Sequence, residues 1–123
     1  MDQKQVEQLG LAMVSAYVWI ASADDGVDVS EFQKFQKVIV ESPFATHFSM
    51  NNMKHWFHDM VTAFETDYEK GVKMSRDRIR VFAENPNVAE EIHRIVRAAM
   101  VADAKLKEVE ETVLVEIKKE LKI

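Results

Sequence analysis

The sequence predicts an all-α protein: a single-domain helical bundle of about six helices with two pseudo-repeated helix–acidic turn–helix units. Apolar residues recur at spacings of three and four in several segments, which is the period of a helix with one buried face. The chain has only three glycines and two prolines among 123 residues, and it shows little of the alternating pattern that is typical of strands. The repeated unit is the strongest internal signal.

The composition is that of an ordinary globular protein. Hydrophobic residues make up 47% and charged residues 30%, and a chain of this length can bury a sizeable core, so we expect residues 1–123 to form one domain. The net charge of -5 argues against nucleic acid or an anionic membrane as a partner. The lack of cysteine excludes disulfides and thiolate metal sites and fits a cytoplasmic protein. No stretch predicts a membrane span or a signal peptide.

The first two predicted helices flank an acidic turn. The first helix covers about Gln3–Ala23, and its part over Leu9–Ala23 is almost continuously apolar, which predicts a buried central helix. Within it Trp19 has two open interpretations, a core residue or a partly exposed anchor. The second helix is amphipathic over Val29–Val40. It ends at Ser42-Pro43, because the residue before a proline avoids α geometry.

Two further helices are predicted in the middle of the chain. The third begins after a cap at Ser49 or Asn51, and the fourth begins after a cap at Thr66 or Asp67. The fourth carries a basic cluster, which we interpret as an ion-paired face rather than a nucleic-acid footprint. The cluster consists of Lys70, Lys73, Arg76, Arg78 and Arg80, with Glu69 and Asp77 among them.

The fifth helix follows the chain break at Asn85-Pro86-Asn87. Asn87 is predicted to cap this helix, with Glu90 at the third helical position completing a capping box. The side chains of its apolar stripe over Val88–Ala102 become smaller toward the end of the helix, which allows a close approach to another helix. We therefore expect the fifth helix to pack against the first at the centre of the bundle.

The last predicted helix spans Glu108–Leu121. Apolar residues recur at every fourth position along it, which predicts one stripe facing the bundle. Polar residues, Glu110 among them, are expected on the solvent side. The expected buried stripe consists of Val109, Val113, Ile117 and Leu121.

Each repeated unit has carboxylates in the turn between its helices, which is Ala21–Glu31 in the first acidic segment and Ala102–Glu110 in the second. Asp24, Asp25 and Asp103 follow the end of a helix, where the macrodipole is negative and disfavours a carboxylate. They therefore need compensation, either from hydrogen-bond donors of the next helix or from a bound cation. Asp28 and Glu31 have a simpler interpretation, because they can form a capping box at the start of the second helix.

Three stretches carry a resemblance to a known family through their order and spacing: Ile20–Glu31, Met60–Gly71 and Ala98–Glu111. Together they resemble the tellurite-resistance TerB family of small all-helical proteins, over most of Leu11–Leu121. The resemblance implies a pseudo-symmetric bundle whose aspartates near the two turns form an acidic metal-binding surface. It also implies a function in resistance to tellurite and related chemical stress.

The family motifs can be matched to this sequence residue by residue. Asp25 with Gly26 and Glu31 match the first motif, and Asp103 with Glu110 matches the second. The second motif departs from the family, because an alanine follows its aspartate where the family has glycine. Two nearby lysines could also neutralise its carboxylates.

These observations predict a weak, oxygen-only site for a divalent cation such as Ca²⁺ or Mg²⁺. Carboxylate oxygens without thiol or imidazole ligands favour such hard cations. The turns are not EF-hands, because the twelfth position counted from Asp24 or from Asp103 is not the required glutamate. The candidate ligands are Asp24, Asp25, Asp28, Glu31, Asp103 and Glu110.

No motif of a common catalytic or nucleotide-binding site is present, neither GxGxxG nor a P-loop nor GxSxG, so we expect a non-enzymatic protein. Its expected partners are other proteins of a stress-resistance assembly, through which it would be associated with the membrane. The alternative is an interaction module that binds no metal and whose acids serve only as helix caps. Such a module would dock a basic partner through its acidic face or through an aromatic patch of Trp19 and Trp56. The sequence does not indicate the oligomeric state.

Overall fold

A computed structural model of the chain describes residues 2–23, 27, 31–102 and 108–123, with only the backbone of 101 and 102. Over these residues the chain forms six α-helices and a 3₁₀ turn at Ala45–His47, and it contains no strand. The predicted all-α bundle of about six helices is confirmed. The helices are α1 Gln3–Ser22, α2 Phe32–Ile39, α3 Met50–Thr66, α4 Tyr68–Arg80, α5 Pro86–Ala102 and α6 Glu108–Leu121.

Helix α1 is the centre of the bundle. Every residue from Leu9 to Ile20 except Leu11 is buried, as expected for a helix that is apolar on all sides. It contacts α3, α4, α5 and α6, so the predicted central packing of the first helix against the fifth is confirmed. Trp19 is only 1% exposed, which identifies it as a core residue.

The starts of α3 and α4 agree with the sequence. The hydroxyl of Ser49 accepts a hydrogen bond of 3.3 Å from the backbone N–H of Asn52. The carboxylate of Asp67 accepts one of the same length from the N–H of Lys70. One predicted cap position of each helix is therefore occupied as expected, and both side chains satisfy N–H groups that have no partner within the helix.

The start of α5 differs from the prediction. Asn85, not Asn87, accepts a hydrogen bond of 3.3 Å from the backbone N–H of Val88. Pro86 occupies the first helical position, where its missing N–H costs nothing and its fixed φ already suits the helix. The predicted capping box of Asn87 and Glu90 is therefore wrong, because the helix begins before Asn87 rather than after it.

Helix α2 is described from Phe32 to Ile39, and the start of the predicted Val29–Val40 helix lies outside the described residues. Its buried residues Phe32, Phe35 and Ile39 form one face, as the amphipathic pattern predicts. The helix contacts α3 and α5. It therefore covers one side of the bundle rather than forming its centre.

The buried stripe of α6 is rotated relative to the prediction at its first turn. Val109 is 49% exposed, whereas Glu110 is only 3% exposed. Successive residues turn by about 100°, so each step of four residues drifts about 40° around the helix. Val109 lies three such steps before Leu121, so its side chain is turned away from the core. Glu110, one residue later, faces the core instead. The predicted burial of Val109 and exposure of Glu110 are therefore wrong.

Candidate functional site at the acidic end of the bundle

The ends of α1 and α3 and the start of α4 meet at one end of the bundle. A cavity of about 100 Å³ is lined there by Ser22 of α1, Phe64 of α3 and Tyr68 of α4, among others. Val27, in the turn between α1 and Glu31, also lines this cavity and is buried. The described residues around the first turn thus pack against the α3–α4 connection.

Helix α6 begins at this same end. Two of its carboxylates form ion pairs with α4, with nitrogen–oxygen distances of 3.1 Å between Arg76 and Glu116 and 2.8 Å between Arg80 and Glu120. Because the two pairs follow the same order along both helices, α4 and α6 run parallel. The start of α6 is therefore beside the start of α4. We call this end, where α1 and α3 end and α4 and α6 begin, the acidic end.

Helix α5 approaches the acidic end with its last residues. Burial lowers the pKa of His93 on α5, and the charges of Lys118 on α6 and of Arg97 lower it further, so α5 packs beside α6. Ala102 at the end of α5 and Glu108 at the start of α6 are six residues apart in the chain, a distance that an extended chain spans with at most about 20 Å. The end of α5 therefore lies near the start of α6, so helices that flank both acidic segments reach the same end of the bundle.

The six predicted ligands divide into two groups. Glu31 and Glu110 belong to the described part of the chain. The other four, Asp24, Asp25, Asp28 and Asp103, lie outside the described residues, as does the predicted capping-box contact between Asp28 and Glu31.

Glu110 is the only charged residue that is buried in the described part of the chain. It lies in the first turn of α6, on the stripe that continues through Val113 and Ile117. A buried carboxylate is costly unless hydrogen bonds, a positive charge or a cation compensate it. The side chain that the sequence assigned to the solvent therefore points its charge toward the interior of the bundle.

Glu31 is half-buried and immediately precedes α2. Burial and, secondarily, the carboxylate of Glu31 raise the pKa of Tyr17 to about 12. Tyr17 lies in an aromatic cluster, with its ring centroid 5.1 Å from that of Phe35 and 6.1 Å from that of Phe57. The first acidic segment is thus coupled electrostatically to the core, a relationship that no local pattern in the sequence marks.

The structure also bears on other metal ligands. In residues 2–23, 27, 31–102 and 108–123, no group of three or more histidine, aspartate or glutamate side chains could hold a metal ion. A cation site would therefore require aspartates of the two turns in addition to Glu31 and Glu110.

The aromatic patch of the alternative interpretation is not formed as predicted. Trp19 is buried beneath α4, with the guanidinium of Arg76 5.6 Å from its ring centroid. Trp56 is half-buried and packs over Gly10 of α1. The two tryptophans belong to the core and its edge, so Trp19 cannot contribute to an exposed docking patch.

These features define the chain as a small all-helical bundle built around one buried helix, with acidic segments flanked by helices that reach a common end. A family model described as "Tellurite resistance protein TerB" matches residues 10–123, and the chain belongs to the TerB family. Neither the comparison with curated proteins nor that with solved structures finds a significant match. Among the described helices, none is long and apolar enough to cross a membrane.

Proposed function

We propose that this protein is a non-enzymatic component of resistance to tellurite and related chemical stress, and that its acidic end binds a divalent cation. The observation that carries the proposal is the inward placement of Glu110, a residue only 3% exposed, at the start of α6 and so at the end of the bundle that both acidic segments reach. Carboxylate oxygens gathered at one place are the ligands that hard divalent cations prefer. Membership of the TerB family supports the link to tellurite resistance.

The proposed ligands are all carboxylates. Oxygen ligands of this kind favour Ca²⁺ or Mg²⁺ over softer metals. Lys105 and Lys107 lie in the second segment, and their charges compete with a cation for the same carboxylates. We therefore propose weak binding, carried mainly by the first turn. The set comprises Asp24, Asp25, Asp28, Glu31, Asp103 and Glu110.

Thermal unfolding in EDTA and in excess Ca²⁺ or Mg²⁺ tests this proposal. At about 100 times Kd, a cation that binds only the folded state adds about 2.7 kcal/mol to the free energy of unfolding. We expect the wild-type midpoint to rise with the cation and the rise to be lost in the double variant Asp25→Asn with Glu31→Gln.

The matched control removes the same number of charges elsewhere. Glu7→Gln with Glu90→Gln changes two exposed carboxylates near the starts of α1 and α5, and it should respond to the cation as wild type does. If neither Ca²⁺ nor Mg²⁺ moves the wild-type midpoint, the cation proposal is wrong.

A second candidate function is docking of a basic partner protein by the acidic end, without metal. The capping hydrogen bonds of Asp2 and Asp67 favour it, because they show that aspartates of this chain serve as helix caps. The partner would belong to a stress-resistance assembly associated with the membrane. Affinity capture from the native host, with wild type and with Asp24, Asp25 and Glu31 neutralised, separates the two functions. Partners lost from the neutralised protein and retained in EDTA support docking, whereas identical partner sets exclude the acidic end.

A further inference from the structure

A groove of about 600 Å³ that the proposed function does not use lies along α4 and α6. Tyr68 and Val72 give it an apolar part, with Tyr68 44% exposed. Glu69, Lys73 and Asp77 line it as well, together with Arg80. We call it the α4–α6 groove.

Four of these lining residues form a line of alternating charge. Along α4, Glu69, Lys73, Asp77 and Arg80 are spaced by four, four and three residues, so they lie on one face of the helix. All four are exposed. Their charges read negative, positive, negative, positive from the start of the helix to its end.

Pairing within α4 is the simplest explanation of this pattern, since opposite charges four residues apart attract each other. The carboxylate of Asp77 does attract Arg80, whose pKa is raised first by Glu120 and also by Asp77, but the described part of the chain contains no close ion pair within α4. None of the ion pairs among the described residues includes Glu69, Lys73 or Asp77. Arg80 pairs with Glu120 of α6 instead, and its side chain remains 59% exposed.

The charge line is complementary to itself when it is reversed. A second α4 laid antiparallel across the groove places Arg80 of the second copy opposite Glu69, and Asp77 of the second copy opposite Lys73. The two-fold axis repeats both contacts. Lys73 and Asp77 then form two pairs of exposed partners, and each Arg80, which remains 59% exposed beside Glu120 of its own chain, has further N–H groups to donate to Glu69 of the other copy. Self-complementarity of this kind is what an isologous interface requires.

We propose that the α4–α6 groove is the interface of a homodimer in which the α4 helices of two copies cross the two-fold axis in antiparallel orientation. The net charge of -5 makes two copies repel each other, and the opposite charges that face each other across the two-fold axis offset this repulsion locally. Arg76 does not oppose this pairing, because Glu116 lies 3.1 Å from its guanidinium. Tyr68 and Val72 supply the apolar area that becomes buried.

Sedimentation velocity of the full chain over protein concentrations from about 10 μM to about 1 mM, the weak end of the affinity range, tests the dimer. Wild type is expected to change from monomer to dimer across this range at low salt and to dissociate as salt rises, because exposed pairs are screened. Lys73→Glu converts two attractive contacts of the dimer into repulsive ones. It is expected to raise the dimer Kd at least about tenfold.

Two further variants make the test specific. Lys34→Glu changes the net charge equally at an exposed position of α2 and is expected to leave the dimer Kd unchanged. The double variant Lys73→Glu with Asp77→Lys exchanges the two charges and restores an attractive pair across the two-fold axis, so its dimer Kd should return to that of wild type. Circular dichroism verifies that each variant is folded.

Three results would overturn the proposal. One is a wild type that stays monomeric across the whole concentration range. Another is an equal effect of Lys73→Glu and Lys34→Glu on the dimer Kd. The third is a double variant that associates no better than Lys73→Glu alone. None of these results depends on cation binding at the acidic end, so the two proposals fail independently.

Discussion

The guanidinium of Arg78 on α4 donates a hydrogen bond of 3.2 Å to the hydroxyl of Ser15, a side chain of α1 that is completely buried. The same nitrogen lies 3.0 Å from the sulfur of Met60 on α3. Burial lowers the pKa of Arg78, and the carboxylate of Asp59 acts in the opposite direction. One arginine thus joins three helices within a largely apolar interface.

Ser15→Ala leaves this arginine nitrogen with only the weaker sulfur acceptor. We expect the free energy of unfolding to fall by about 1–3 kcal/mol, the usual contribution of a hydrogen bond to a charged group, here a half-buried one. The double variant Ser15→Ala with Arg78→Met should be more stable than the sum of the single losses predicts, because neither polar group then remains. Urea unfolding of the four proteins measures this coupling, and strictly additive losses would contradict it.

Gly10 marks a close approach between α1 and α3. A Cβ atom at this position would lie 2.6 Å from Cζ3 of Trp56 and 3.1 Å from the sulfur of Met53. In an exposed helix alanine is more stable than glycine by roughly 1 kcal/mol. Here we expect the opposite sign, with Gly10→Ala costing about 1–3 kcal/mol through overpacking.

A second substitution tests whether Trp56 causes this loss. Trp56→Leu removes the ring that the added methyl group would meet, so its own cost should be smaller in the Gly10→Ala background than in wild type. Thermal unfolding of the two single variants and the double variant measures the difference. A Gly10→Ala variant as stable as wild type would show that α3 can shift to accommodate the added methyl group with no loss of stability.

The register of α6 can be tested by paired substitutions. Val113→Ala removes methyl groups from the buried stripe and should cost about 1.5–3 kcal/mol. Val109→Ala makes the same change at an exposed position and should alter the free energy of unfolding by no more than about 0.5 kcal/mol. Chemical denaturation measures both losses. Equal losses would indicate that Val109 is buried like Val113, as the four-residue spacing predicts.

Tyr17 makes the stability of the protein sensitive to alkaline pH. Burial, and secondarily the carboxylate of Glu31, raise its pKa from 10.0 to about 12. Folding thus favours the protonated phenol, so its contribution is complete below pH 10.0 and is lost as the pH rises toward about 12. We expect unfolding experiments to show this loss in wild type and less of it in Tyr17→Phe.

Ultraviolet titration of the tyrosines provides a direct readout of the same group. The later of the two phenolate steps should belong to Tyr17, because Tyr68 is partly exposed, and Tyr17→Phe should remove that step. Glu31→Gln should lower the pKa of Tyr17, since a neighbouring negative charge no longer opposes the phenolate. Disappearance of the earlier step in Tyr17→Phe would contradict the assignment.

Much of the fold is predictable where local signals agree. Ser49 and Asp67 precede clear apolar periods and cap their helices as expected. The start of α5 shows where local signals are insufficient, because an asparagine stands on each side of Pro86. Only the proline's preference for the first helical position selects Asn85.

The candidate site is less predictable, because it depends on tertiary placement. The sequence identifies the carboxylates of both turns but assigns Glu110 to the solvent, since a charged residue is rarely buried. Val109 fits a four-residue spacing equally well, so the periodicity alone cannot choose between the two neighbours. The influence of Glu31 on Tyr17 joins residues that no helical spacing relates, and only the packing of α1 beside α2 and α3 reveals it.

The position of α1 also determines how the protein opens. Its buried residues are covered by α3, α4, α5 and α6 together, so no one of these helices can leave without exposing apolar surface of α1 to water. Its amide protons should therefore exchange with solvent only through global unfolding, whereas those of the peripheral α2 can exchange through local openings. Hydrogen exchange in α1 thus measures the stability of the whole bundle, and damage to α6 will be detectable in a helix almost a hundred residues earlier in the chain.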